Sequence, residues 1–569
     1  MIRKLVCGAC LVNRSWLAER SADTPFNIAD FLPNDIHPGL AFTRNRRPPK
    51  FKTPKTNAMD LRPMKKSYKI ITATNSTTLS LSNRNTCHHS APSLNTSSLA
   101  DQGEQPLTGL DIGNPVEGFS FALVYEKPLD EQALIEGLRK SLGRIPYFSG
   151  RLFGVGSSLP LAIPNNEGAL FISALFDGHL PTFNPQRPLK PYLRRFLPVI
   201  EAFSFGHDTP LLQIQLTHFA NGCILGISIS HALCDGISML GFVHEWANNV
   251  RGGDLLPLPC WNRREVQQLA LGCGGQPSSQ NPVVELKEPF CLPDCAVETG
   301  VFHLPVGLLQ ELERRYRADD DSVSRHDIIT AFIYLLMAHC GANPEVAPSL
   351  TIACNLRRTL ELSANYLGNA VWLRSCAMEH EHLQTADIEG IAGRICQLHR
   401  DITRDAIRED LAFWQARMAD GSAARFLSQA THDVLSGGIL IDNMSRFDFY
   451  SLDFGAGAPL WLDIPPPSLP APVVRATLMM PTSSDRGGID LHVILPPEEM
   501  ERFRSQFDDP FLDPVQSNAR FDVIPREHSP TDSALLADER TDDFTAHIGT
   551  MDRSNAQNEE HVIEGALVA

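Results

Sequence analysis

Alternating hydrophobic and polar positions predict a β-hairpin near the middle of the chain. Apolar residues occupy every second position at 212–216 and again at 225–229. Asn221-Gly222 between the two runs is a turn signal. The alternation predicts that one face of the hairpin is buried, and that its second strand ends just before His231.

A second pattern, apolar residues spaced four apart, predicts an amphipathic helix earlier in the chain. Leu134, Leu138 and Leu142 follow Asp130, which can cap the first turn, and Gly143 and Pro146 close the pattern.

Two further helices are predicted in the second half. Ser324 and Asp327 have capping-box spacing ahead of an apolar run, and Gly341 is the expected C-cap. A longer helical pattern runs from about residue 386 to residue 418. Helices and strands mix without strict βαβ alternation, which favours α/β or α+β layers over a barrel.

The charge of the 569-residue chain divides into three parts. The net charge is −16, with +8 over residues 1–66, −17 over 67–525 and −7 over 526–569. Both ends are polar and poor in large hydrophobic residues, so we expect a disordered basic extension at 1–66 and a disordered acidic tail at 526–569. The acidic body argues against nucleic acid as a partner.

The N-terminal residues carry only a weak targeting signal. Arg3-Lys4 precede the short apolar run 5–12, which faintly resembles a secretory signal, and Arg14 and Arg20 leave a mitochondrial transit peptide open. We favour a non-targeting tail and a cytoplasmic location. The chain lacks 18 consecutive apolar residues, so no membrane span is expected.

The 13 cysteines do not predict a metal centre. Cys7 and Cys10 form one CxxC, but no second pair has zinc-site spacing. Cys87-His88-His89 lies in a Ser-, Thr- and Asn-rich stretch without further nearby ligands. We expect reduced thiols and no metal.

The most informative segment is His231-Ala232-Leu233-Cys234-Asp235-Gly236 at the end of the predicted hairpin. A neutral imidazole can accept a proton from a hydroxyl or an amine near pH 7. Asp235 could orient the loop by pairing with a cation or with backbone N–H groups, and Gly236 would provide backbone freedom at the turn.

In its wider context this segment resembles the BAHD acyltransferases, enzymes that transfer an acyl group from coenzyme A to an alcohol or amine. Peptide-synthetase condensation domains share the fold but usually have a second histidine before the motif, where this chain has Ser230. Further segments similar to family motifs follow one another in the family's order. They are Leu107–Asp111, Tyr147–Leu152, Ser324–Asp327, Asn355–Arg357, Tyr366–Asn369 and Asp453–Gly457.

The resemblance implies a two-domain chloramphenicol-acetyltransferase-like α/β fold, with mixed sheets and a channel between the domains. The first domain would cover 67–256 and carry the HxxxDG motif, and the second would cover 296–525 and carry the DFGAG motif. Residues 257–295, rich in Gly, Pro and Ser, would form a crossover linker.

The resemblance also implies residue roles. His231 would be the general base midway along the channel. Asp235, assigned to catalysis together with His231, would point away from the substrate and pair with Arg357. Gly236, Arg357, Asp453, Gly455 and Gly457 would give structural support. Ala456 stands where the family commonly has Trp, which leaves the oxyanion-stabilising group unassigned and favours the fungal-type, trichothecene-acetyltransferase-like branch.

These expectations define an enzyme that esterifies a hydroxyl group of a small specialised metabolite. Acyl-CoA, most simply acetyl-CoA, would be the co-substrate, with no bound prosthetic group and no assigned CoA contacts, and we expect a monomer. Two alternatives stay open. One is an N-acyltransferase or condensation-type enzyme with a carrier-bound donor, and the other is a catalytically silent relative that only binds metabolites.

Overall fold

The computed structural model of the protein describes most of the chain between residues 64 and 507. The described ranges are 64–73, 103–112, 118–154, 160–180, 193–198, 200, 209–254, 256–257, 259–286, 296–317, 323–341, 347–363, 365–385, 387–465, 473–483 and 486–507. The acidic tail predicted at 526–569 and most of the basic extension predicted at 1–66 lie outside these ranges. Residues 64–66 belong to a strand, so that extension cannot reach residue 66.

Strands and helices alternate irregularly along the described residues, as the sequence predicts. The strands are β1 (Met64–Ile71), β2 (Gln105–Pro106), β3 (Phe119–Tyr125), β4 (Arg151–Phe153), β5 (Leu161–Ile163), β6 (Ala169–Phe176), β7 (Leu212–Phe219), β8 (Gly222–Ile229), β9 (Val283–Glu285), β10 (Glu298–Leu304), β11 (Leu350–Asn355), β12 (Val371–Cys376), β13 (Phe426–Ser428), β14 (Ile439–Asn443), β15 (Trp461–Asp463), β16 (Ala476–Pro481) and β17 (Ile489–Leu495).

The helices connect and cover these strands. They are α1 (Gly109–Ile112), α2 (Glu131–Arg144), α3 (Gly236–Arg251), α4 (Arg263–Leu269), α5 (Val306–Tyr316), α6 (Arg325–Ala338), α7 (His380–Gln384), α8 (Ile388–Arg400), α9 (Arg404–Ala419), α10 (Gln429–Leu435) and α11 (Pro497–Phe507).

Two mixed sheets organise the described part of the protein. The first has the order β1-β6-β7-β8-β3-β15 and the second β10-β17-β16-β14-β11-β12. Strands β6 and β7 are parallel in the first sheet, and β14 is parallel to both β11 and β16 in the second. The mixed α/β class predicted from sequence is confirmed.

The predicted hairpin is present as the antiparallel pair β7 and β8, but both of its faces are buried. The polar positions of the alternation lie inside as well, because they find hydrogen-bond partners there. The Gln215 amide donates to the carbonyl of Arg195 at 2.8 Å and accepts from Lys66 at 2.9 Å. The expectation of a single buried face is therefore wrong.

Capping explains where the predicted helices begin. Asp130 accepts hydrogen bonds from the N–H groups of Gln132 and Ala133 at the start of α2. Ser324 and Asp327 form the expected capping box at the start of α6. The C-cap of α6 is His339 rather than Gly341, since the helix ends two residues earlier than predicted.

The long helical pattern at 386–418 is two helices. Helix α8 ends at Arg400, and α9 begins at Arg404 with Thr403 as its N-cap, where the Thr403 hydroxyl accepts from the N–H of Ala406 at 3.2 Å. Amphipathic periodicity continues across the break, which is why the pattern alone predicts one element.

The domain boundaries stay a prediction, with two additions from the structure. The segment 257–295 contains helix α4 and strand β9, and β9 pairs with β13 of the second half. Strand β15 lies far along the chain yet pairs with β3 in the first sheet, where Trp461 lies opposite Val124. The second half of the chain therefore completes the edge of the first sheet.

Candidate active site

A tight turn between β8 and α3 carries His231. The N–H of Ser230 donates to the carbonyl of Leu211 at 2.9 Å, and the N–H of Leu233 donates to the carbonyl of Ser230 at 3.0 Å. Asp235 then caps α3, with its carboxylate accepting from the N–H of Ser238 at 3.0 Å. His231 keeps partial solvent exposure while its neighbours in the turn are buried. The backbone that carries His231 is therefore held in place, while the residue itself is not fully buried.

Asp235 and Arg357 form a bidentate ion pair. The guanidinium nitrogens lie 2.8 Å and 2.9 Å from the two carboxylate oxygens, and both side chains are buried. Arg357 also donates to the Ser238 hydroxyl at 2.9 Å, and the N–H of Ala370 donates to Asp235 at 3.0 Å. The contact expected from the resemblance is thus present, and it joins the turn that carries His231 to the segment after β11.

The ion pair controls the charge of Asp235. Burial alone would raise the pKa of this carboxyl group, but the Arg357 guanidinium and the hydrogen bonds from Ser238 and Ala370 hold the pKa below its ordinary value. Asp235 is therefore ionised near neutral pH and unavailable as an acid.

A second set of buried contacts holds the backbone carbonyls of the same turn. The Asn369 amide donates to the carbonyl of His231 at 2.8 Å and to Asp111 at 2.9 Å. Arg263 donates to Asp111 at 3.3 Å and also to the carbonyl of Leu233, and the side chains of this ion pair are fully buried. Together the two sets fix the backbone at His231 and on its C-terminal side.

Sequence reasoning identified only part of this second set. Asp111 and Asn369 lie in segments that resemble family motifs, but we expected no role for Asp111 in the site. Arg263 lies in the predicted linker, and no periodicity or motif marked it. The doublet Arg263-Arg264, which follows a stretch (residues 255–262) with no Lys, Arg, Asp or Glu, was the available signal.

Electrostatics favour the neutral form of His231. Burial lowers the pKa of its imidazole, and the nearby carboxylates of Asp235 and Asp111 and the amide of Asn369 offset only part of that shift. The imidazole is therefore uncharged near pH 7, which is the form that accepts a proton.

The structure favours glycine at position 236 for a reason other than the backbone freedom expected from the sequence. The backbone of Gly236 is not in the left-handed region. A Cβ atom at this position would lie 2.9 Å from the Phe447 ring, so a side chain would collide with the segment after β14. Glycine is needed here for close approach between the two halves of the protein.

Asp453, Gly455 and Gly457 lie at the opposite end of α3 from His231. The Asp453 carboxylate accepts from the N–H groups of Gly455 and Gly457 at 2.7 and 2.8 Å, and both glycines have positive φ. The Asp453 carbonyl accepts from Arg251, the last residue of α3, at 2.5 Å. Sixteen helical residues span about 24 Å, so this loop is not brought together with the imidazole, and the oxyanion-stabilising group stays unassigned.

Other predicted features are outside this site. Cys7, Cys10 and Cys87-His88-His89 lie outside the described residues. Within the parts of the chain that the structure describes, no three His, Cys, Asp or Glu side chains come together as metal ligands would. None of the described helices is both long and apolar enough to cross a membrane.

Comparison with known proteins identifies relatives of this chain. A family model described as the Transferase family matches residues 94–509. Rosmarinate synthase of Plectranthus scutellarioides is 24% identical over 421 residues, covering 70% of this chain and 94% of the relative. Agmatine hydroxycinnamoyltransferase 1 of Oryza sativa subsp. japonica is 25% identical over 421 residues, with 70% and 92% covered. The structure of F. graminearum TRI101 with ethyl coenzyme A superposes with a TM-score of 0.56 at 15% identity, covering 71% of this chain and 97% of TRI101.

Proposed function

Because this chain belongs to the Transferase family, that of the BAHD acyltransferases, we propose that it esterifies a hydroxyl group of a small specialised metabolite with an acyl group from coenzyme A, using His231 as general base. The fold and the acyl-transferring class follow from family membership. The observation that supports the assignment of His231 is its position, partly exposed on a turn whose backbone is held by buried side chains.

The reaction needs one proton acceptor and later one proton donor. The neutral imidazole of His231 removes the proton of the acceptor hydroxyl while its oxygen forms a bond to the thioester carbonyl carbon. The tetrahedral intermediate then collapses, the carbon–sulfur bond breaks, and the imidazolium returns its proton to the leaving thiolate. General-base catalysis of this type contributes about 10²–10⁴-fold.

Asp235 and Arg357 serve as positioning residues in this scheme. Their ion pair lies beneath the turn, and the carboxylate bonds backbone N–H groups of α3 and of the segment before β12. Asp235 thus fixes the direction of the chain after His231 without contacting the reacting atoms.

Coenzyme A is proposed as the donor because TRI101 binds it in a protein of the same fold. Acetyl-CoA is the simplest form. TRI101 has also been crystallised with deoxynivalenol, which fits the proposal of a fungal-type, trichothecene-acetyltransferase-like enzyme. The monomeric state and the cytoplasmic location remain predictions.

Thiol release tests this function. The full-length protein is incubated with a panel of acyl-CoAs and a metabolite extract, free thiol is followed, and products are identified by mass spectrometry. Ester formation that disappears in His231→Ala supports the proposal. His218→Ala is the matched control, since His218 lies on the same hairpin at the far end of β7. A His231→Ala enzyme with unchanged turnover would overturn the role of the base.

Amine acceptors are the second candidate, because the rice relative is named for agmatine. The same product analysis separates amides from esters. Replacing free acyl-CoA with carrier-tethered acyl groups tests the condensation-type alternative, and the absence of any acylated product with either donor would point to a silent relative.

A further inference from the structure

Asp442 is a partly buried carboxylate that the proposed reaction does not use. It lies near the end of β14, and its strand neighbours fix which way it faces. Ile441 packs in the core between the second sheet and its helices, and the Asn443 amide nitrogen lies 2.8 Å from Nδ1 of His326 on α6. Since side chains alternate along a strand, Asp442 points to the opposite face of the sheet.

That opposite face is turned toward the first half of the protein. Leu478, which lies opposite Asp442 on β16, belongs to the core built around the first sheet. Two residues beyond Asp442, Met444 joins the same core. A Cβ atom at Gly236 would lie 3.9 Å from the Met444 sulfur. The end of β14 therefore packs against the residue that follows Asp235 in the turn that carries His231.

Among the described residues, none supplies a positive charge that balances Asp442. The pKa of its carboxyl group is raised to about 6, mainly by burial and in part by the negative charge of Asp235, while a backbone hydrogen bond from Asn443 lowers it. Asp235 has Arg357 as its partner, whereas no Lys, Arg or His among the described residues pairs with Asp442. The residue nevertheless keeps partial solvent exposure, so it is not sealed within the core.

Building on the proposed acyl transfer, we propose that Asp442 binds a basic nitrogen of the acceptor, so that the enzyme selects hydroxylated amines over neutral alcohols. A buried carboxylate is stabilised by a cation that makes a direct hydrogen bond to it. The acyl donor cannot supply that cation, because coenzyme A carries phosphates that a carboxylate repels. The cation that pairs with Asp442 must therefore come from the acceptor.

Binding of matched amine and neutral compounds tests this inference. Calorimetry compares tyramine with 4-ethylphenol and 5-hydroxytryptamine with 3-ethyl-5-hydroxyindole, pairs of hydroxylated compounds that differ only in the amine. We expect the wild-type protein to bind at least one amine about tenfold or more tightly than its neutral partner. Asp442→Asn should abolish that preference. Asp410→Asn, a buried carboxyl in contact with Trp372 and Asn281, is the matched control and should retain it.

Two outcomes would overturn the inference. One is a wild-type protein without preference for the amine in any pair, a result that needs no variant to fold. The other is an Asp442→Asn protein that keeps the preference. Both readouts measure binding and are independent of turnover, so they stay distinct from a failure of the proposed acyl transfer, which would appear as thiol release insensitive to His231→Ala.

Discussion

The amide nitrogen of Asn369 lies 2.8 Å from the carbonyl oxygen of His231 and holds the backbone of the proposed base directly. The same nitrogen lies 2.9 Å from Asp111, which Arg263 neutralises. The position of His231 therefore depends on a residue more than a hundred positions away in sequence, on the segment before β12.

We expect Asn369→Ala to lower kcat more than it changes KM. Loss of the amide frees the His231 carbonyl, and a displacement of about 1 Å at a reacting group costs about 10²-fold in rate. Steady-state kinetics check this. Asn249→Ala is the control, because Asn249 is also buried and donates to Ser141 and Glu245 away from the turn. Equal losses of kcat in both variants would indicate general destabilisation.

His231→Ala should lower turnover about 10²–10⁴-fold while the protein stays folded. The side chain is partly exposed and its ring carries no ion pair of the turn, so its removal leaves both sets of buried contacts in place. Thiol release measures turnover, and thermal unfolding measures stability. A large fall in melting temperature with this variant would contradict the separation of catalytic and structural roles.

Breaking the pair of Asp235 and Arg357 should destabilise the protein. Removing one member leaves a buried charge without compensation and costs about 3–5 kcal/mol in the free energy of unfolding. Denaturant unfolding of Asp235→Asn, Arg357→Met and the double variant measures this cost, and we expect the double variant to lose less than the two single losses combined. Glu361→Gln removes an exposed ion pair with Arg404 and should change stability by about 1 kcal/mol or less.

The pH dependence of kcat/KM should reflect the lowered pKa of His231. The base is active when neutral, so activity falls as pH decreases through this pKa and stays level toward neutral pH. We expect the acid limb below the ordinary titration range of histidine. The Asp442→Asn variant shows whether titration of the Asp442 carboxyl group contributes to this loss of activity at low pH. A loss of activity centred above pH 7 would contradict the lowered pKa of His231.

Asp410 should make the protein less stable as pH rises from about 4 to about 7. Burial raises the pKa of this carboxyl to about 7, although Trp372, Asn281 and Trp414 donate hydrogen bonds that favour its ionised form. Between the unfolded and folded pKa values the native state binds more protons, so its stability is full below about pH 4 and declines to neutral pH. Asp410→Asn should flatten this part of the stability profile, and an unchanged slope would reject the effect.

Local signals in the sequence predicted much of the fold. The hairpin β7–β8 and the capping of α2 and α6 follow from alternation and from short-range hydrogen bonds, which depend on neighbouring residues. The break between α8 and α9 was missed because a cap at Thr403 interrupts the backbone without interrupting the amphipathic pattern.

The candidate site was harder to predict because its contacts join distant segments. The role of His231 and the pairing of Asp235 with Arg357 were predicted from the resemblance to a family, not from the spacing of residues. Arg263 and Asp442 carry no periodic signal, since the environment of a single buried charge is set by tertiary packing. The close approach of Phe447 to Gly236 likewise depends on how the two halves meet.

Strand β15 has a consequence for synthesis of the protein. The free edge of β3 is closed only when Trp461–Asp463 pair with it, long after the rest of the first sheet has been translated. Until then the nascent chain presents an unpaired strand edge, which favours intermolecular pairing and aggregation. A fragment that ends in the segment 257–295 would keep this edge open permanently, so the first half of the chain is poorly suited to independent expression.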